Sequence, residues 1–444
     1  MNLQEIDMTK GNAAHNTARL FGPLLGAFFL NILYDLTDSL WIGGILGETA
    51  LAVQTICIPV SLLFIAACMG AANGAAIVFS RYIGSKDKTR METASATAFR
   101  ITLLCVCIVV PLLEFFIRPL LSVLNTPAAL YHAAKLFLGI HILSFPSVAL
   151  YMYISAILRS RGNTVVPMAA VLFSTALNAV LDPVFIHFAG LNGVVLVTVL
   201  TQTLMAVITA VYCGLQKTGD GRNLFGFSFR HILSRGRAVT GELFRNAVPS
   251  LFQQIMPSVS AAVITSLVGK YGIIPLAAYG AACKMEIMLL YPSMAVNMTL
   301  TAATGQCFGA GLKTKARTYL RWGMIESVSL LAVLTVCVLL FQHTVSGFFG
   351  IGEEAKRIVA DYFMIISAGY ICNGMTNCFL GTLNGAGHPA VSMGIMVVYY
   401  LFIRIPLALF LSSPLGLTGI WAAVLVSHIG ALLIAGLVSR FVRI

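Results

Sequence analysis

Charge is what this sequence has least of. Only 10% of its 444 residues are Asp, Glu, Lys or Arg, against about a quarter in an ordinary soluble domain, and the mean hydropathy is +0.90. A chain so poor in charge cannot cover a globule of this size with solvated groups, which excludes a soluble protein and leaves a polytopic membrane protein. The ten cysteines carry no CxxC spacing and no neighbouring histidines, so neither a disulfide scaffold nor a zinc site is indicated; they read as small core residues. No charged, apolar and small-residue sequence of the signal-peptide kind opens the chain, since Met1 to Asn16 is polar and mildly amphipathic. The net charge of +12 does not bring nucleic acid as a partner, because the Lys and Arg form neither a face nor an RGG-like tail. They fall in short bursts between apolar runs, the pattern of cytoplasmic loops.

Apolar segments of about 20 residues or more run over 18–44, 51–79, 94–117, 131–157, 165–188 and 193–216, then over 246–269, 276–304, 323–345, 358–383, 391–413 and 418–439. The fold class expected is therefore all-α, with twelve transmembrane helices in two six-helix lobes around a central cavity. The longest polar connection divides them, predicting an N-terminal lobe at 1–216, a cytoplasmic linker at 217–244 and a C-terminal lobe at 245–444. With the N-terminus inside, the outer loops hold only Arg118, Lys135, Lys270, Lys356 and Arg357. Lys284 and Arg404 fall within spans and every other Lys or Arg lies inside, so both termini are expected in the cytoplasm.

The halves repeat each other. "SRYIGSKDKTR" returns as "GQCFGAGLKTKAR", "RSRGNTVVPM" as "NGAGHPAVSM" and "GLNGVV" as "GLTGIW", with Gly84 answering Gly309 and Gly162 answering Gly387. Each half starts on the same side, so this is a parallel repeat of the kind that frames a cavity in transporters.

The acids of the apolar spans are next. A carboxylate near the bilayer centre costs several kcal/mol, so those that persist usually face protein or water. Glu114, four residues before Arg118, reads as an ion pair, and Glu326 beside Arg321 as a snorkelling side chain. Asp38 and Asp182 are different. They fall at a similar depth in spans one and five, and Asn178, four residues before Asp182, shares its helical face. Asp35 precedes Asp38 by three. Oxygens from Asp38, Asp182, Asn178 and Thr198 suit a hard cation such as Na+, or the two carboxylates share a proton as like-charged neighbours do. Pro23 and Pro183 each remove a helical hydrogen bond, marking candidate hinges, and the carbonyl freed by Pro183 is a further candidate ligand. Tyr34, Phe28, Met152, Met256 and Met288, with Glu286, are candidates for a wall receiving flat apolar cations.

A six-plus-six chain with "YDLTDSLWIGGILGETALAV", "YIGSKDKTRM", "RSRGNTVVPM", "NAVLDPVFI", "QCFGAGLKTKAR" and "IRIP" in this order resembles the MATE (multidrug and toxic compound extrusion) family over nearly its whole length. The resemblance implies a secondary antiporter that exports organic cations or amphipathic drugs in exchange for inward H+ or Na+ by alternating access. "YDLTD" matches that family's span-one aspartate at Asp38, and "NAVLD" the Asn and Asp of the branch coupled through its N-terminal lobe. Asp35 stands where the family often has asparagine. Spans seven and ten offer amides in "LFQQIMP" and "GYICNGM", where another branch carries acids. The alternatives are a flippase for lipid-linked saccharides, for which only Lys284 and Arg404 supply intramembrane positive charge, a channel, and a membrane prenyltransferase, which lacks its second aspartate-rich loop. The expected partners are a small-molecule substrate, H+ or Na+ and the lipid bilayer of a cell (inner or plasma) membrane, with no nucleic acid, no cofactor, no enzymatic activity and a monomeric state.

Overall fold

The computed structural model describes residues 5–124, 126–216, 223–225, 237–347 and 351–442. Most of the linker expected at 217–244 lies outside them. The elements are α1 (Ala13–Trp41), α2 (Glu48–Gly84), α3 (Lys88–Phe115), α4 (Ile117–Val123), α5 (Ala128–Ile142), α6 (Phe145–Ser160), α7 (Val165–Ala189) and α8 (Leu191–Leu215). They continue with α9 (Arg237–Gly269), α10 (Ile273–Gly309), α11 (Lys313–Gly347), α12 (Glu353–Gly385), α13 (Pro389–Val397) and α14 (Ile405–Phe441). Among the described residues two π-helical stretches interrupt the pattern, Ile42–Leu46 after α1 and Val398–Arg404 between α13 and α14.

Among the described residues eleven helical segments are long and apolar enough to cross a membrane. The last, Pro389–Phe441, has 53 residues, about 80 Å of helix against a hydrocarbon core of about 30 Å. It breaks at Gly416, where φ is 59° and ψ −137°, so it makes two crossings and the total is twelve. Helices overrun the apolar stretches read from the sequence, α11 beginning at Lys313 rather than 323. Hydropathy marks the bilayer, whereas the hydrogen-bond ladder continues into water.

The repeat is visible residue by residue in the turns. Gly190 between α7 and α8 has φ 58° and ψ −136°, the conformation of Gly416 and one open in practice to glycine alone. Three residues on, a Cβ at Gly193 would lie 2.1 Å from the Phe185 carbonyl oxygen, and one at Gly419 2.1 Å from that of Leu411. Gly47 and Gly272, Lys86 and Gly311, and Gly162 and Gly387 are likewise paired at positive φ, each pair 225 residues apart; Gly190 and Gly416 are 226 apart. The extra residue of the second half is taken up by the π stretch Val398–Arg404, since an i→i+5 turn holds one residue more than an α turn. Lys86 alone among these positions carries a side chain, at φ 58°. Lys86→Gly is therefore expected to raise stability by up to about 1 kcal/mol, read as a higher thermal midpoint in detergent.

By backbone contacts the chain forms two compact units, one of residues 5–6 and 26–247, the other of residues 7–25 and 248–442. In the first, α2 packs on the start of α9 so closely that a Cβ on Gly74 would lie 2.3 Å from the Ala247 Cα. Phe79, Tyr153, Ile154 and Leu158 fill one of its cores. Glu114 makes no ion pair with Arg118 among the described residues; its carboxyl instead faces Gly139 of α5. In the second unit Tyr279 and Trp421 stack in the core with ring centroids 5.4 Å apart, and Tyr362 packs edge-on against both. The segment before α1 belongs here: the Met8 amide donates to Gln306 Oε1 at 2.9 Å, and the Tyr319 hydroxyl to the Met8 carbonyl at 3.1 Å. Small residues let α12 lie against α10. A Cβ on Gly385 would fall 2.1 Å from Thr304 Oγ1 and 2.7 Å from the Gly305 nitrogen, so Gly385→Ala is expected to cost about 2 kcal/mol and to lower the thermal midpoint.

Candidate functional site

The first unit gathers Asp38 of α1, Asn178 and Asp182 of α7, and Thr198 and Thr201 of α8, all buried. Each sits on its helix by i,i+4 or i,i+3 spacing, so the pattern of the sequence places them on inward faces. The Asp38 carboxyl lies against that of Asp182 and within reach of the Asn178 amide. Asn178 Nδ2 donates to Asp182 Oδ1 at 3.2 Å. Asp38 Oδ1, Asp182 Oδ2 and Asn178 Oδ1 are buried with no hydrogen-bond partner. Two carboxylates side by side in a low dielectric cannot both stay ionised and unaccompanied. A proton between them, or a hard cation on the three unpaired oxygens, resolves the arrangement. Among the described residues no group of three or more His, Cys, Asp and Glu stands ready for a metal ion, so the oxygen set is two carboxylates with neutral donors.

Tyr34 belongs to this cluster rather than to an open aromatic wall. It is buried, four residues before Asp38, and its hydroxyl is 3.1 Å from Thr201 Oγ1. Thr201 gives its own proton to the Thr198 carbonyl at 3.2 Å, so Tyr34 is the donor. Thr201 and Ser174 were not singled out by the sequence. The one lies three residues past Thr198; the other lies four before Asn178, buried with an unpartnered hydroxyl. Asp35 stands apart: it is exposed on α1, so the buried acids are a pair and not a triad. Phe28 and Met152 are half-buried, Met152 against the core residues of α6 and α8. Pro23 and Pro183 both lie inside continuous helices. The first π stretch begins four residues after Asp38.

In the second unit Met256 is in the core and Met288 is exposed. Glu286 accepts from the Tyr362 hydroxyl at 3.0 Å, and Lys284 is exposed. From the last residue of the π stretch onward, the 226-residue register sets Arg404 where the first unit has Asn178, Ala408 where it has Asp182, and Ser427 where it has Thr201. The arginine donates from Nε to Ser427 Oγ at 2.9 Å and stacks on Tyr399 and Tyr400 at 4.9 and 4.8 Å from the ring centroids. The second unit thus carries a fixed guanidinium where the first carries paired acids. Glu326 has no ion pair with Arg321 among the described residues; its Oε2 is buried without a partner.

The MatE family model matches twice, at residues 23–184 and 249–410. The chain belongs to the MatE family. Each match begins on a proline, Pro23 or Pro249, and the two restate the duplication seen in the turns. Among relatives of this MATE chain are the multidrug export protein MepA of Staphylococcus haemolyticus, 20% identical over 93% of this chain and 90% of its own, and an FAD transporter of Shewanella oneidensis, 24% identical over 89% and 87%. Among solved structures, the outward-facing conformation of a multidrug resistance MATE transporter of the MOP superfamily superposes with a TM-score of 0.91 at 19% identity, covering 99% of this chain and 97% of the other. A MATE in a bent conformation gives 0.90 over 98% and 96%, also at 19% identity. The protein is a multi-pass membrane transporter by family, and its relatives are transporters rather than enzymes.

Proposed function

We propose that this MATE protein is a secondary antiporter that exports organic cations or amphipathic drugs in exchange for inward H+ or Na+. The observation that carries the reading is the buried contact between the Asp38 and Asp182 carboxyls, with Asp38 Oδ1, Asp182 Oδ2 and Asn178 Oδ1 lacking hydrogen-bond partners. From outside, the ion enters the first unit and neutralises the pair, which removes its attraction for a cationic substrate; α1 then repacks about Pro23 and the substrate leaves. Release of the ion to the cytoplasm restores the charge. That MATE structures are known in a bent and in a straight conformation supports a fold with two shapes. The exposed Asp35 adds a negative charge at the approach to the pair. The lobes are taken as 1–216 and 245–444 on either side of the 217–244 linker, and the chain as a monomer of the cell membrane with both termini in the cytoplasm, following its basic loops.

The test is ethidium efflux from proteoliposomes under an imposed pH gradient and, separately, a Na+ gradient. Efflux driven by one of them names the ion. Efflux under neither sinks the antiport reading and moves the cargo toward anionic or lipid-linked compounds, a direction to which the FAD-transporting relative lends a precedent.

A further inference from the structure

The opening turns of α11 carry Lys313, Lys315, Arg317 and Arg321 ahead of the apolar run that begins at 323, with no acid in the first turn. Cations at the start of a helix oppose its dipole, and like charges four residues apart repel each other. This stretch therefore calls for a counter-charge. Lys315 spends its ammonium on the Gly11 carbonyl at 3.1 Å. Lys313, Arg317 and Arg321 are exposed, and among the described residues none of the three has an ion pair or a side-chain hydrogen bond.

These three belong to one i,i+4 row that continues through Ile325, Ser329 and Val333, every member of it exposed. The row begins basic and turns apolar. Ile325 and Val333 are 45% and 60% exposed within a helix long and apolar enough to cross a membrane. Trp322 is also exposed and stands at the change, the level at which tryptophans of membrane proteins meet the headgroups. Arg317 lies about 6 Å beyond Arg321 along the axis, roughly the thickness of the headgroup layer on one side of a bilayer. The inward face of the same turns is fixed, with Ala316 and Tyr319 fully buried and the Tyr319 hydroxyl bonded to the Met8 carbonyl. A packed helix, not a loose tail, presents the basic residues.

The first unit has no such row. In the 225-residue register Arg317 answers Glu92 and Arg321 answers Ala96, which is buried, and Arg90 there is paired with Asp87 at 3.4 Å. Orienting a chain in a membrane requires basic residues in the loops, not along one face of one helix.

We propose that this row binds the headgroup of an anionic phospholipid, with the phosphate between Arg317 and Arg321 and an acyl chain along Ile325 and Val333. Guanidinium groups offer phosphate oxygens paired hydrogen bonds, and Lys313 adds to the positive field. A zwitterionic headgroup gains little, because its own cation meets that field. Binding needs neither substrate nor an ion gradient, so it stands independently of the antiport reading.

Trp322 is the reporter. The full chain is reconstituted in phosphatidylcholine vesicles and its fluorescence titrated with phosphatidylglycerol, or with phosphatidylcholine, brominated on the acyl chain near the headgroup; the quenching that Trp322→Phe abolishes is the signal. Brominated phosphatidylglycerol is expected to quench at a mole fraction about tenfold lower than brominated phosphatidylcholine. Arg317→Gln combined with Arg321→Gln is expected to bring the two lipids within about twofold of each other. Lys88→Gln combined with Arg90→Gln removes the same charge from the first unit and is expected to shift the preference by less than about twofold. Soluble glycerol phosphate at matched ionic strength is expected to leave the preference in place. All four substituted side chains are exposed, so the fold is retained. Equal quenching by the two lipids in the wild type, a preference that survives loss of Arg317 and Arg321, an equal fall in the Lys88 and Arg90 variant, or release by glycerol phosphate overturns the inference.

Discussion

Asp182→Asn and Asp38→Asn are each expected to drop gradient-driven ethidium efflux to the rate of protein-free liposomes while leaving the fold in place. Asparagine matches aspartate in shape and retains an acceptor for the Asn178 amide that now donates at 3.2 Å. What it removes is the second titratable group of a touching pair. Coupling needs a charge that appears and disappears with ion binding, and a lone remaining acid has lost the like-charged neighbour that makes sharing obligatory. The double variant is expected to be no worse than either single, because the residues act as one unit. The thermal midpoint is expected to stay or rise, since each substitution relieves a buried repulsion. Full efflux from Asp38→Asn in a pH or Na+ gradient would show that the driving ion binds elsewhere.

Arg404→Met is expected to destabilise the protein by about 2–3 kcal/mol, the cost of removing a charged donor from a half-buried hydrogen-bond network and leaving its acceptors unpaired. The guanidinium donates to the Tyr399 hydroxyl at 2.7 Å and to His428 Nε2 at 3.2 Å, beyond its bond to Ser427. For Nε2 to accept, His428 must be neutral with its proton on Nδ1, which lies 2.6 Å from the Tyr399 oxygen. Arginine therefore fixes the histidine tautomer and is also the positive charge facing half-buried Glu286. Its loss leaves Glu286 with the Tyr362 hydroxyl as its hydrogen-bond donor. Adding Glu286→Gln to Arg404→Met is expected to recover about half of the loss, because the uncompensated carboxylate goes with it. Thermal unfolding of the two singles and the double decides it: additive losses, or a loss below about 1 kcal/mol for Arg404→Met, would remove the network from any account of the second unit's stability.

The pairing of Asp38 with Asp182 was legible in the sequence because both constraints are local. Charge scarcity makes any intramembrane acid conspicuous, and helical periodicity puts Asn178 beside Asp182. Asp35 shows the limit of that reasoning. Three residues is a near neighbour on a helix, but the turn of α1 that buries Asp38 leaves Asp35 exposed, and spacing alone does not say which face meets protein. Glu114 was assigned to an arginine four residues away and Glu326 to the inner interface, whereas the Glu114 carboxyl faces α5 and Glu326 Oε2 is buried.

By itself the sequence determined the number of crossings, the duplication, the family and the identity of the buried acids, because hydropathy, glycine turns and charge scarcity act within a few residues. Only the tertiary structure decided that the π stretch shifts the second half by one residue and so sets Arg404 at the place of Asn178. It alone showed Tyr34 turned toward Thr201 and residues 7–25 joined to the second unit. Those outcomes depend on which side chains from distant helices meet and on which hydrogen-bonding groups are consumed in meeting, and no span of neighbouring residues records that.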